Sequence, residues 1–341
     1  MSTGAPAAYK VVDRSLLLPY YKRYLVEPLL PLLPRSLHPN TITHFGHLIN
    51  LSGAVMLVAL WPKQGWPFVL SIVLLQTYLW CDHADGAHAR RTNQCSALGE
   101  FLDHGLDSLN MIYISYVTSM ALGAPPFYWV AVALLIPGAG GVTYWEQAQT
   151  GVFRLGLLNQ IESVLVLSTA LMVSAVLGNQ IWGAISLFGI TLQKAMIYWS
   201  LGTIVFGIAR NMQRVAMRDG LRALPPVLGV IAFGVAILEG ARVEALSTVT
   251  AVTLATAINV YFSTRMLTFR LLGRAPKVEP VVWAFTAAVA GLILARRLDY
   301  PVGPMVGPAI AALACVVFGA HAIIDARASV IRVTQVEARE G

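Results

Sequence analysis

A chain of 341 residues with 57% hydrophobic and only 12% charged side chains lacks the polar shell that a water-soluble globule of this size needs. Its net charge of +7 does not mark a nucleic-acid binder, because the basic residues are scattered between apolar runs instead of forming one stripe. The cysteines Cys81, Cys95 and Cys315 are odd in number and lack paired spacing, which points away from a disulfide framework or a CxxC zinc site.

The first 15 residues carry charges and no long apolar stretch, so no cleavable signal peptide is expected. In the next segment Leu17, Tyr21, Tyr24 and Leu25 follow helical spacing among Lys22, Arg23 and Glu27. This pattern predicts an amphipathic helix in the membrane surface, ended by Pro28, Pro31 and Pro34. Apolar runs then recur, each long enough to cross roughly 30 Å of hydrocarbon. They predict ten spans, at 41–61, 66–84, 99–121, 126–144, 157–177, 193–212, 224–240, 245–266, 279–296 and 304–324. Pro137 and the Gly138, Gly140 and Gly141 cluster predict a kink or a close helix approach in the fourth. With the N-terminus in the cytoplasm, all of the 24 lysines and arginines lie on that side except Lys63, Lys194, Arg242, Arg296 and Arg297. The expected fold is therefore all-α and polytopic. A single domain is read over residues 1–341, with an amphipathic segment (1–38), a catalytic bundle (39–215) and additional helices (216–341).

Between the second and third spans, acids appear where apolar residues should be. Asp82 and Asp85 end one helix, and Asp103 and Asp107 begin the next; spacings of three and four put each pair on one face. A carboxylate inside a membrane costs a few kcal/mol and marks a functional site by default. Four converging anions call for a divalent cation or a pair, and oxygen-only ligation favours magnesium, manganese or calcium over zinc. Gly86, Ala89 and Gly99 leave room for a ligand near the backbone, and Arg90 is suited to a phosphate oxygen. Together these residues describe a diphosphate site. Intramembrane acids also occur in cation-coupled transporters, a reading from a different class, although acids there usually lie deeper and on broken helices.

Asp82, Asp85, Gly86, Ala89, Arg90, Gly99, Asp103 and Asp107 match every fixed position of D-x2-D-G-x2-A-R-x8-G-x3-D-x3-D. This resembles the signature of the CDP-alcohol phosphotransferases. ARRTN (89–93), the DHG-x-DS stretch (103–108), HPNTIT (38–43) and the T-G-x-x-R-x-G…E stretch (150–162) are similar to its choline and ethanolamine branch. The resemblance implies transfer of phosphocholine or phosphoethanolamine from the CDP-alcohol to diacylglycerol, releasing CMP. It also implies two magnesium or manganese ions on Asp82, Asp85, Asp103 and Asp107, and CDP contacts from Asn40, Gly86, Ala89, Arg90 and Gly99. His104, beside Asp103, is the expected general base, with Glu162 orienting it and Asp107 as the competing proton acceptor. Trp145, with Tyr144, is placed to meet a quaternary ammonium or to serve the interfacial aromatic belt. Ser108 supplies no cation where relatives using phosphorylated acceptors often carry Lys or Arg. That difference argues against the alternative of a CDP-diacylglycerol-dependent phosphatidyltransferase with a soluble alcohol acceptor. The resemblance further implies a homodimer; the scattered basic residues argue against a nucleic-acid partner, and the basic loops put the active site on the cytoplasmic face of a bacterial inner membrane or of the endoplasmic reticulum or Golgi.

Overall fold

The computed structural model describes residues 10–63, 65–156, 159–277 and 279–340, with side chains to residue 335. The first nine residues of the N-terminal segment, and Leu157 and Leu158 of the 150–162 stretch, lie outside the described residues. The order of helices is α1 (Leu18–Tyr21), α2 (Pro39–Leu60), α3 (Trp66–Thr92), α4 (Ala97–Ala121), α5 (Pro126–Thr150), α6 (Gln160–Leu177), α7 (Ile181–Ala184), α8 (Leu192–Asp219), α9 (Pro225–Arg242), α10 (Thr248–Leu271), α11 (Pro280–Arg297) and α12 (Val306–Glu340). Each expected span falls on one of the long helices. Among the described residues, seven of these are long and apolar enough to cross a membrane. The others, α3, α4 and α10, are helical but carry more polar residues, including the acids of the motif.

Two compact units form. One is built chiefly from Val11–Ala124 and Arg154–Trp199, the other from Pro125–Phe153 and Ser200–Val336. In the first unit α2 packs on α3 and α4, and α6 packs on α3. Gly46 permits the closest approach: a Cβ there would lie 2.6 Å from the Cβ of Cys81. Buried polar pairs pin the same helices, with Asn50 donating to Asn110 at 3.0 Å and Gln76 donating to Ser168 at 2.9 Å. The ends that hold the motif are well capped. Asn93 stops α3 in the left-handed conformation, and the Ser96 side chain accepts from the Gly99 N–H to start α4.

The N-terminal segment departs from the expected single surface helix. It is α-helical over Leu18–Tyr21, widens into a π turn at Lys22–Val26, and the prolines break it into a short 3₁₀ turn at Leu30–Leu32. The expected stripe also divides. Tyr21 and Val26 turn inward onto Ile42, Cys81 and Ala84, whereas Tyr24 and Leu25 are exposed alongside Tyr20, Leu29 and Leu32. Trp80 donates to the Leu25 carbonyl and Arg91 to those of Leu30 and Leu33, so the segment is a collar on α3 with an apolar outer face.

In the second unit α10 packs on α5 and α9, and α9 on α11. Pro137 has no N–H for the Ala133 carbonyl, and the Asn259 amide from α10 takes its place, donating to the carbonyls of Ala133 and Leu134 at 3.1 Å each. The glycines allow this approach: a Cβ on Gly141 would lie 2.8 Å from the Phe262 ring. Arg265 bridges Glu279 and Asp325 at 2.8 and 2.6 Å beside the stacked Tyr261 and Phe318 rings.

Asn259→Ala should therefore destabilise this unit by about 1–3 kcal/mol, the cost of leaving buried carbonyls unsatisfied. Adding Pro137→Ala should recover part of the loss, because the new N–H can reach Ala133. Thermal unfolding of the single and double variants in detergent checks this. Additive losses would show that Asn259 does not serve the proline gap.

Candidate active site and metal centre

The motif lies wholly within the first unit, on the C-terminal turns of α3 and the N-terminal turns of α4. Carboxylate oxygens of Asp82, Asp103 and Asp107 lie within 4.8 Å of one another. Asp107 also reaches Asp82, Tyr78 and Asn110 by hydrogen bonds. These are hard oxygen donors of one charge sign, converging from two helices. The set fits a hard divalent cation, and the three residues are each half-buried.

Asp85 stands outside that trio. Its Oδ2 accepts from the Thr43 hydroxyl at 2.5 Å and its Oδ1 from the Gly86 N–H at 2.5 Å. Thr43 belongs to the HPNTIT stretch that opens α2, so that stretch reaches the acid motif through a specific bond. Its first residues do the same: a Cβ on Gly99 would lie 3.1 Å from Asn40 Oδ1, so the absence of a side chain at Gly99 lets Asn40 approach α4. Gly86 has a similar role for Arg90, whose Nη1 would be 3.4 Å from a Cβ at Gly86. Arg90 itself is exposed, one turn beyond Gly86 and Asp85, while Ala89 is half-buried beside it.

His104 is buried on α4 immediately after Asp103, and its backbone carbonyl accepts from the Ser108 hydroxyl at 3.1 Å. Ser108 thus turns its side chain back to its own helix and presents no charge. Glu162 is bound elsewhere than the sequence suggested. Its Oε1 accepts from the Ser15 hydroxyl at 2.7 Å and the Leu17 N–H at 2.9 Å, and its Oε2 from the Asn159 N–H at 3.1 Å. It closes a capping box at the start of α6 and anchors the collar. The spacing Asn159-x-x-Glu162 carried that signal. Trp145 is fully buried on α5 in the other unit, next to Tyr144, which stacks on Phe153 with centroids 5.9 Å apart.

Tyr78, Gln160 and Asn110 at the site were not singled out from sequence. Tyr78, one turn before Asp82, donates to Asp107 Oδ1 at 3.1 Å, and Gln160 at the start of α6 donates to the Tyr78 hydroxyl at 2.9 Å. In the collar, Tyr21 stands edge-on to His83, and burial together with the charges of Asp82 and Cys81 pushes its hydroxyl up to about 12. Tyr21 therefore stays protonated beside the acids at any physiological pH.

Residues 36–209 match the model of the CDP-alcohol phosphatidyltransferase family, which covers half of the chain and the whole of the site just described. The chain belongs to that family. Similar proteins include cholinephosphotransferase 1 of Danio rerio, 30% identical over 224 residues, covering 62% of this chain and 57% of that protein. Cholinephosphotransferase 1 of Gallus gallus is 34% identical over 187 residues, 51% of this chain and 54% of that protein. The Homo sapiens protein of the same name is 29% identical over 221 residues, with 62% and 54% covered. The chain thus spans a little over half the length of the curated relatives it matches.

Removing the Glu162 anchor should loosen the collar without unfolding the bundle. In Glu162→Ala, limited trypsin digestion should cut at Lys22 and Arg23 several-fold faster than in the wild type, with the thermal transition kept. Equal cleavage rates would mean that the collar is held by other contacts.

Proposed function

We propose that this protein transfers phosphoethanolamine or phosphocholine from its CDP-alcohol to the free hydroxyl of diacylglycerol, releasing CMP. The observation that carries the reading is the convergence of Asp82, Asp103 and Asp107 within 4.8 Å at the family's motif. Relatives named cholinephosphotransferase support the donor class. A pair of magnesium or manganese ions held by these three carboxylates, with Asp85 released from Thr43, would neutralise the diphosphate and the departing CMP.

The chain's own residues do the rest. Arg90 holds a phosphate oxygen at the exposed mouth, and Asn40, Gly86, Ala89 and Gly99 line the space for the CDP portion. His104 takes the proton from the lipid hydroxyl as its oxygen attacks the phosphorus bearing the alcohol. The anhydride oxygen leaves with CMP, so one phosphoester forms as one anhydride bond breaks. Asp107 is the competing proton acceptor. The neutral Ser108, turned to its own backbone, favours an acceptor without a phosphate over the soluble phosphorylated alcohols of CDP-diacylglycerol-dependent enzymes. The acids lie on two unbroken helices and match the family's motif, which favours this reading over a transporter. In this proposal 39–215 is the catalytic bundle, the site faces the cytoplasm, and the protein works as a homodimer.

Asp103→Asn should abolish turnover while the helices stay folded, because it removes a ligand charge without opening a cavity. His104→Ala should lower turnover about 10²–10⁴-fold at saturating substrates. CDP-alcohol binding should survive, because the diphosphate is held by other groups. Assays of purified protein with CDP-choline, CDP-ethanolamine and CDP-diacylglycerol, followed by lipid product analysis, check all three points. Product from CDP-diacylglycerol alone would overturn the proposed donor, and a loss below about fivefold in His104→Ala would pass the base role to Asp107.

A further inference from the structure

Tyr78 is buried on α3, and its hydroxyl is the meeting point of three helices. Gln160 Nε2 of α6 donates to it at 2.9 Å, and it donates to Asp107 Oδ1 of α4 at 3.1 Å. A phenol has one proton. With the Gln160 amide filling a lone pair, that proton is directed to Asp107. Asp107 is also hydrogen-bonded to Asn110, which in turn accepts from Asn50 of α2. Gln160 is itself held in place, because it directly follows the Asn159 cap that Glu162 closes.

We propose that Tyr78 is a positioning residue for the cation centre: with its proton directed by Gln160, it fixes the Asp107 carboxylate in the orientation that meets Asp82 and Asp103. This rests on the reading of the three carboxylates as a divalent-cation site. A carboxylate on a free rotor would swing between the cluster and solvent, and a hydrogen bond to one oxygen leaves the other aimed at the ion. Partners of this kind commonly set ligand affinity by about 10–100-fold. The network also joins the collar to the centre, since Ser15 and Leu17 bind the same cap that holds Gln160.

The test is manganese binding to the full chain in lipid nanodiscs after chelator treatment, read as loss of the free-ion signal in electron paramagnetic resonance. Wild type should bind Mn²⁺, and Tyr78→Phe should bind it about 10–100-fold more weakly with helical content unchanged. Gln160→Glu, whose carboxylate draws the phenol proton away from Asp107, should weaken binding in the same direction while keeping the hydroxyl. Excess Mn²⁺ should restore turnover in both variants, which a merely structural role would not produce. If wild type binds Mn²⁺ and neither variant differs from it, the positioning role is overturned and the metal reading stands. If Tyr78→Phe fails to fold, Gln160→Glu decides alone, and unchanged affinity overturns the role. If wild type itself binds no Mn²⁺, the cation reading falls and this inference with it.

Discussion

Carboxylate repulsion inside a helical bundle is the constraint around which the first unit is arranged. At 4.8 Å and an effective dielectric constant of about 20, each pair among Asp82, Asp103 and Asp107 repels by about 3.5 kcal/mol when both are ionised. Three such pairs approach the whole net stability of a typical domain, about 5–15 kcal/mol. The bundle can keep the cluster only by supplying counter-charge, protons or hydrogen-bond donors. It visibly supplies donors, through Tyr78 and Asn110 on Asp107 and through Thr43 and the Gly86 N–H on Asp85. The remaining charge is what a divalent cation and its diphosphate ligand would meet.

The surrounding packing follows from the need to bring α3 and α4 together with α2 and α6. Gly46 brings α2 onto Cys81, one residue before the first acid, and Gly99 lets Asn40 reach the start of α4. The collar covers the C-terminal half of α3 by giving its carbonyls to Trp80 and Arg91. It leaves an apolar outer face of Tyr20, Tyr24, Leu29 and Leu32. That arrangement suits the proposed reaction, in which a soluble donor meets a lipid acceptor, since the site lies beside this apolar surface.

Hydropathy located every long helix, but it measures the bilayer and not the helix. The expected ends at 84, 144, 212 and 324 fall short of Thr92, Thr150, Asp219 and Glu340, because each helix continues past its apolar stretch. The signal is also weakest where burial is deepest. In α10, with Asn259, Ser263, Met266 and Leu267 all buried, polar side chains face protein partners and the helix falls below the apolar standard of a span. The acid cluster was legible because its carboxylates lie three or four residues apart on two consecutive helices. Bonds across long separations, such as Thr43 to Asp85 and Tyr78 to Asp107, leave no periodic trace. Glu162 shows the opposite case: its local capping spacing was present, but the acid drew attention as a partner for His104.

The most direct test of the central claim is CMP release by the purified protein, stripped with EDTA and supplied with diacylglycerol and a CDP-alcohol. No CMP should appear in chelator, and magnesium or manganese should restore release together with a matching amount of phosphatidylethanolamine or phosphatidylcholine. Full turnover in chelator with no bound metal would contradict the account.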